Sequence, residues 1–172
     1  RVHRDLRVSL TDRCSLRCTY CMPADFSDWI ANDKLLTTGE LVTVIGLCVD
    51  AGITQVRLTG GEPLLRRDIV DVVRRINELP QPPRISLTTN ALRLAEVAQE
   101  LKDAGLTRVN VSLDTLDPVR FKEMTHRDRF HDVIEGIEAA KAAGLTPLKV
   151  NAVLLKGVND DEAIPLLRHA LA

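Results

Sequence analysis

The first regular feature of the chain is an alternation. Residues 5–10, Asp-Leu-Arg-Val-Ser-Leu, switch between polar and apolar with period two, as a half-buried strand does. From 11 to 36 no period is sustained, so that stretch reads as a long loop, which compact domains keep mostly for function. Thr37-Thr38-Gly39-Glu40 then offers an N-cap and a first-turn acid ahead of an apolar run closed by Ala51-Gly52. That pattern predicts a helix stopped by glycine. Residues 55–59 predict a second strand, followed at once by Gly60-Gly61-Glu62-Pro63. Asp68 is placed to cap a helix through Asn77, which Pro80, Pro82 and Pro83 end. The same order repeats with a strand at 84–88, a helix at 92–104 closed by Gly105, and a strand at 108–113. A capped turn at Asp117-Pro118 opens a short helix, and 131–143 makes a longer one closed by Gly144. A fifth strand is predicted at 148–154 and a last helix at 160–171.

Strand and helix thus alternate five times with no hairpin signal between strands. Such an α/β order demands right-handed crossovers and a parallel sheet covered by helices. A doubly wound sheet expects a glycine-rich phosphate turn after its first strand, and no Gly-x-Gly-x-x-Gly occurs. The unusual residues instead follow the strands at their C-terminal ends: the cysteines, Gly-Gly-Glu-Pro, Thr-Thr-Asn and Ser-Leu-Asp. A (β/α) barrel builds its site there. Five units fall short of the eight that close such a barrel, so the expectation is a partial TIM-type barrel that lacks its end. Its last strand would leave an unpaired edge that invites association, a homodimer among the outcomes, unless something covers it.

Composition changes this picture little. The 172 residues are one domain's worth, 45% of them apolar and 27% charged, which excludes a disordered chain. Aromatic residues make up only 3%, so the core must be aliphatic. Lys plus Arg number 23 against 24 Asp plus Glu, a net charge of −1. A binder of nucleic acid or of a membrane surface would be strongly basic. The longest nearly unbroken apolar run, 42–49, is far too short for a bilayer, and residues 1–5 lack the apolar stretch of a signal peptide. A cytoplasmic protein is expected.

The cysteines carry the sharpest chemical signal. Cys14, Cys18 and Cys21 stand as Cys-x-x-x-Cys-x-x-Cys in the long loop, and Cys48 stands alone in the apolar run. A thiolate triplet can hold three irons of a [4Fe–4S] cluster and leave the fourth open to a non-protein ligand. A zinc-binding scaffold without catalysis is the rival, although structural zinc wants four protein ligands and His3, His126, His131 and His169 are scattered. Cys48 is expected to be a small buried hydrophobe. The paired glycines would let backbone carbonyls approach a ligand closely, and Glu62 would offer a counter-charge to an ammonium.

Cys14, Cys18, Tyr20 and Cys21, just after a first barrel strand, resemble the signature of the radical S-adenosylmethionine enzymes. Gly60-Gly61-Glu62-Pro63 is similar to that family's Gly-Gly-Glu motif for the methionyl amino group. Within it, six blocks resemble the GTP 3′,8-cyclases of molybdenum-cofactor biosynthesis. They are the run from Arg4 to Cys14, the run from Arg57 to Leu64, Arg66-Arg67-Asp68, Leu87-Thr88-Thr89-Asn90, Asn110 to Asp114, and Lys149-Val150-Asn151 with Lys156 to Asp160.

The resemblance implies that Cys14, Cys18 and Cys21 hold the [4Fe–4S] cluster, and that Tyr20, Gly61 and Ser112 contact S-adenosylmethionine. It further implies that Arg7, Arg57, Thr88 and Lys149 contact GTP. Three cations at strand ends around one mouth would suit a triphosphate. The implied reaction is a radical cyclisation of GTP begun by a 5′-deoxyadenosyl radical. An electron donor and a downstream cyclic pyranopterin synthase would be partners, and no side chain is assigned as general base. In that family a second cysteine cluster and an arginine-rich tail would lie beyond these residues. Ala91 stands after Asn90 where the family usually has glycine, so a less left-handed loop is expected there. The rival within the superfamily is an enzyme acting on a peptide or a cofactor precursor, which would have no use for a phosphate mouth.

Overall fold

Strand β1 (Asp5–Ser9) pairs with β2 (Gln55–Thr59), β2 with β3 (Arg84–Thr89), β3 with β4 (Arg108–Ser112) and β4 with β5 (Lys149–Asn151). All four pairings are parallel. The computed structural model describes residues 3–171. Helices α1 (Thr38–Asp50), α2 (Ile69–Asn77) and α3 (Leu94–Asp103) make the first three crossovers. Helices α4 (Pro118–Thr125) and α5 (Phe130–Ala142) share the fourth, and α6 (Ala163–Leu171) follows β5. Spatial order equals chain order, with no switch point of the kind that defines a doubly wound sheet. The sheet is an arc of a (β/α) barrel, as the element order predicts.

The strict alternation along the strands gives the arc two unlike faces. Val56, Leu58, Ile85, Leu87, Val109 and Val111 are wholly buried and join the helices' Ile45, Val72, Ile76, Leu94, Leu101 and Ile137 in one aliphatic core. The other face is polar from strand to strand. Arg7, Arg57, Ser86 and Arg108 stand in register across β1 to β4, and Thr88, Asn110 and Lys149 do so across β3 to β5. A complete barrel normally packs its interior with bulky branched side chains. Here the described interior positions carry hydroxyls, amides, cations and the Asp5 carboxylate instead.

Local chemistry sets the element ends. Thr37 and Glu40 form a reciprocal capping box on α1, and Asp117 accepts from Val119 N and Arg120 N to start α4. Gly52, Gly105 and Gly144 follow their helices at positive φ, as stop signals should. Four expectations need correction. Asp68 precedes α2 but makes no cap, because Arg66 (2.7 Å) and the Thr38 hydroxyl take its carboxylate. The last helix starts at Ala163 after a 3₁₀ turn, Asp160–Glu162. Strand β5 is only three residues long, because Val153 N turns away to donate to Asp114 Oδ1 at 2.8 Å.

The fourth correction concerns Ala91, which is left-handed at φ +64° although it is not glycine. Its N–H bonds Thr89 Oγ1 (3.0 Å), and Leu92 N bonds Asn90 Oδ1 (3.1 Å), so a polar turn holds the conformation and delays α3 to Leu94. Gly136 of α5 faces this turn, and a Cβ there would overlap the Ala91 carbonyl oxygen. A left-handed alanine costs about 1–2 kcal/mol, which these contacts offset.

Candidate active site

The ends of β1 to β4 and the long loop after β1 enclose a cavity of about 210 Å³. Hydrogen bonds from two sides fix the loop over it. On one side Gly61 N donates to Thr11 O (2.7 Å) and Glu62 N to Arg13 O (2.6 Å). On the other, Arg17 N and Thr19 N donate to Thr125 O and Met124 O, each at 2.9 Å. Arg17 closes the loop on itself through Cys14 O (2.7 Å) and Leu16 O (2.9 Å), and its guanidinium stacks 5.0 Å from the Trp29 ring centre.

Gly61, in the wall of this cavity, also serves the loop above it. A Cβ there would overlap the carbonyl oxygens of Asp12 and Arg13, so the missing side chain lets the cysteine loop dock on the end of β2. Glu62, in the same wall, is held in place by its neighbours. It is 2% exposed, and its carboxylate accepts from Leu64 N (2.9 Å), Thr89 Oγ1 (2.7 Å) and Asn90 N (2.7 Å). Burial pushes its carboxyl pKa up against the pull of those three donors. Glu62 is a tie between the β2 and β3 loops.

Cys14, Cys18 and Cys21 all line the cavity, Cys14 and Cys18 half-buried and Cys21 exposed. Each lies near enough to the others to be felt electrostatically. Burial raises the Cys14 thiol pKa and lifts that of Cys18 to about 12, so both hold protons that a metal must displace. Among the described residues no group of three or more His, Cys, Asp or Glu is placed to hold a metal ion. A cubane spreads its thiolates over separate irons, so its three ligands need not meet at a point. Three thiols around one open cavity fit that donor set. Cys48 lies half-buried on α1, outside the cavity and less enclosed than its apolar surroundings suggest.

Tyr20, Gly61, Thr88, Ser112 and Arg7 also line this cavity. Tyr20 OH donates to Asp114 Oδ2 at 2.6 Å, which ties the cysteine loop to the end of β4; burial and that bond raise the phenol pKa. Arg57 and Lys149 are absent from its walls. Arg57 stands mid-strand in register with Arg7, and Lys149 opens β5 opposite Asn110. The expected ring of cations at strand ends is therefore a set of cations on the inner face, below the mouth. The sequence reading missed Asn90, whose amide reaches Ser15 Oγ (3.0 Å) and Cys14 Sγ (3.9 Å), and Asp114, Met124 and Arg17. Asn90 and Asp114 do end the Thr-Thr-Asn and Ser-Leu-Asp segments that stand out in the sequence.

A profile of the Radical SAM superfamily matches residues 8–170. The chain belongs to that superfamily. A [4Fe–4S] cluster and S-adenosylmethionine are the cofactors this membership brings. The GTP 3′,8-cyclase of Streptomyces coelicolor is 58% identical over 172 residues, 99% of this chain and 50% of that protein. The GTP 3′,8-cyclase of Listeria monocytogenes is 52% identical over 168 residues, 98% of this chain and 50% of that protein. The chain thus spans about half the length of the curated relatives it matches. Among solved structures, Streptococcus suis SuiB bound to S-adenosylmethionine superposes with a TM-score of 0.75 at 22% identity, covering 98% of this chain and 38% of that one. The hydrogenase maturase HydG of Carboxydothermus hydrogenoformans gives 0.68 at 18%, covering 86% and 35%. At those identities the likeness is one of fold. Among the described residues no helix is long and apolar enough to cross a membrane.

Proposed function

We propose that the protein acts as a GTP 3′,8-cyclase, converting GTP to 3′,8-cyclo-GTP in the first step of molybdenum-cofactor biosynthesis. The observation that carries this reading is continuity. The cysteine-lined cavity opens onto an inner sheet face bearing Arg7, Arg57, Thr88 and Lys149, and Arg7 belongs to both. The identity to GTP 3′,8-cyclases over nearly the whole of this chain supports the same assignment. Bound together, the cluster and S-adenosylmethionine supply a reductively generated 5′-deoxyadenosyl radical for hydrogen abstraction from the substrate.

The chain's own residues then hold and orient. Cys14, Cys18 and Cys21 ligate the cluster, and Tyr20, Gly61 and Ser112 seat S-adenosylmethionine between the loop and the ends of β2 and β4. Arg7, Arg57 and Lys149 attract the triphosphate, and Thr88 offers a hydroxyl midway. The helix-facing core keeps this wall rigid, which matters because a misplacement of about 1 Å can cost a hundredfold in rate. Residues 1–172 serve as one radical SAM core domain in the cytoplasm. An electron donor, a downstream cyclic pyranopterin synthase and a second copy of the chain are the partners this role implies.

Anaerobic loading with iron and sulfide tests the reading. Cys18→Ser should lose bound iron with its helical signal nearly unchanged, whereas Cys48→Ser should keep it. In loaded protein under reductant, release of 5′-deoxyadenosine should quicken when GTP is added. Release indifferent to GTP but quickened by a peptide would favour the peptide-modifying rival.

A further inference from the structure

Below the cavity, the inner face carries a charge arrangement that folding alone disfavours. Arg7 and Arg57 are direct cross-strand partners, Arg57 faces Ser86, and Ser86 faces Arg108. Like charges opposite one another on a sheet are destabilising. Among the described residues none of the three guanidiniums makes an ion pair, although Arg66, Arg93, Arg120 and Arg129 all do. The three line one cavity of about 200 Å³ in which Asp5 is the sole acid. Ser86, the residue between Arg57 and Arg108, is small, so the row has a notch where larger side chains would fill it. Its hydroxyl is turned to Val56 O at 3.4 Å. Arg108 also borders an adjoining recess with Arg84.

We propose that Arg108 is a further phosphate-binding cation, which completes with Arg7 and Arg57 one seat for a polyphosphate. An anion between the guanidiniums turns mutual repulsion into shared charge-assisted hydrogen bonds, and arginine forks suit phosphoryl oxygens. The seat also sets a direction. Ser9 and Thr59 lie two residues further along β1 and β2, about 6–7 Å nearer the cysteines. The phosphate end of the substrate therefore points toward the N-terminal ends of the strands, and the sugar lies toward the thiols. The assignment of this polyphosphate to a nucleoside triphosphate rests on the function proposed above; the seat itself rests on the three arginines.

Calorimetry on the anaerobically loaded protein separates the two, with inorganic tripolyphosphate, GTP, ATP and guanosine as probes. Arg108→Gln should weaken tripolyphosphate and GTP roughly 10- to 150-fold and leave guanosine unchanged. Arg108→Lys should recover part of the loss, and Arg75→Gln, an exposed change on α2, should have no effect. Without any anion, Arg108→Gln should melt at or above the parent temperature, because a repulsion is gone; a merely structural arginine would give the reverse. Loss of tripolyphosphate binding in Arg108→Gln without preference for GTP over other nucleotides supports the seat and overturns GTP as substrate. GTP binding that depends on Arg57 but is unaffected by Arg108→Gln overturns the seat and leaves the function standing. A parent protein that binds neither phosphate compound overturns both.

Discussion

Leu87 and Thr88 are neighbours in β3, yet they live in different media. Leu87 is wholly buried against the helices, whereas Thr88 opens on the hollow beside Asn110 and the cysteine cavity. The same division runs through β1 to β4, so two opposite demands are met by one period-two pattern. One face supplies apolar burial and holds the arc together. The other is left free to carry cations that, among the described residues, make no ion pair; they weaken the fold but suit an anionic ligand. Stability and binding are separated by one step along the chain, which makes them separable by mutation.

The largest effect should come from the buried face. Leu87→Ala should cost about 2–5 kcal/mol, read as a lower denaturant midpoint at unchanged slope. An equal loss from Thr88→Ala would break the two-face description. The paired threonines sharpen it at intermediate size. Thr89 is 2% exposed, donates to Glu62 and accepts from Ala91 N, so Thr89→Val should cost about 1–3 kcal/mol. Thr88 receives only a long bond from Asn110 Nδ2, at 3.4 Å. Thr88→Val should therefore change stability by less than about 0.5 kcal/mol while weakening nucleotide binding. The smallest effect is a gain. Ala91→Gly removes left-handed strain but adds freedom to the unfolded chain, for a net rise of about 0.5–1 kcal/mol by chemical denaturation.

Much of this was legible in the residues. The strand starting at Gln55 and the helix starting after Thr37 lie where period and caps place them, because those signals act within a few residues. The misplacements share a cause in distant partners. Asp68 reads as a cap until Thr38 competes for its carboxylate, and β5 reads as long until Asp114 captures Val153 N. In the site, Cys14, Cys18 and Cys21 announce themselves by spacing. Arg57 is legible as a cation in an apolar run, but its depth in the barrel depends on register with Arg7, which local pattern does not encode. Asn90 and Asp114 are single polar residues whose meaning lies in the partners they reach, Ser15 and Tyr20, both remote in sequence.

The chain-order sequence of strands has a consequence for how the molecule is made. Every strand after β1 pairs first with the strand synthesised just before it. Translation at about 5–20 residues per second leaves seconds between successive strands, whereas collapse and local docking take microseconds to milliseconds. Each unit can therefore settle on a finished neighbour before the next leaves the ribosome. From β2 to β5 each strand docks on the edge left by the one before, while the outer edge of β1 stays open. A rearranged gene that delivered β4 before β2 would encode the same contacts, but leave hydrophobic strand faces stranded during synthesis, and its yield of soluble product should fall.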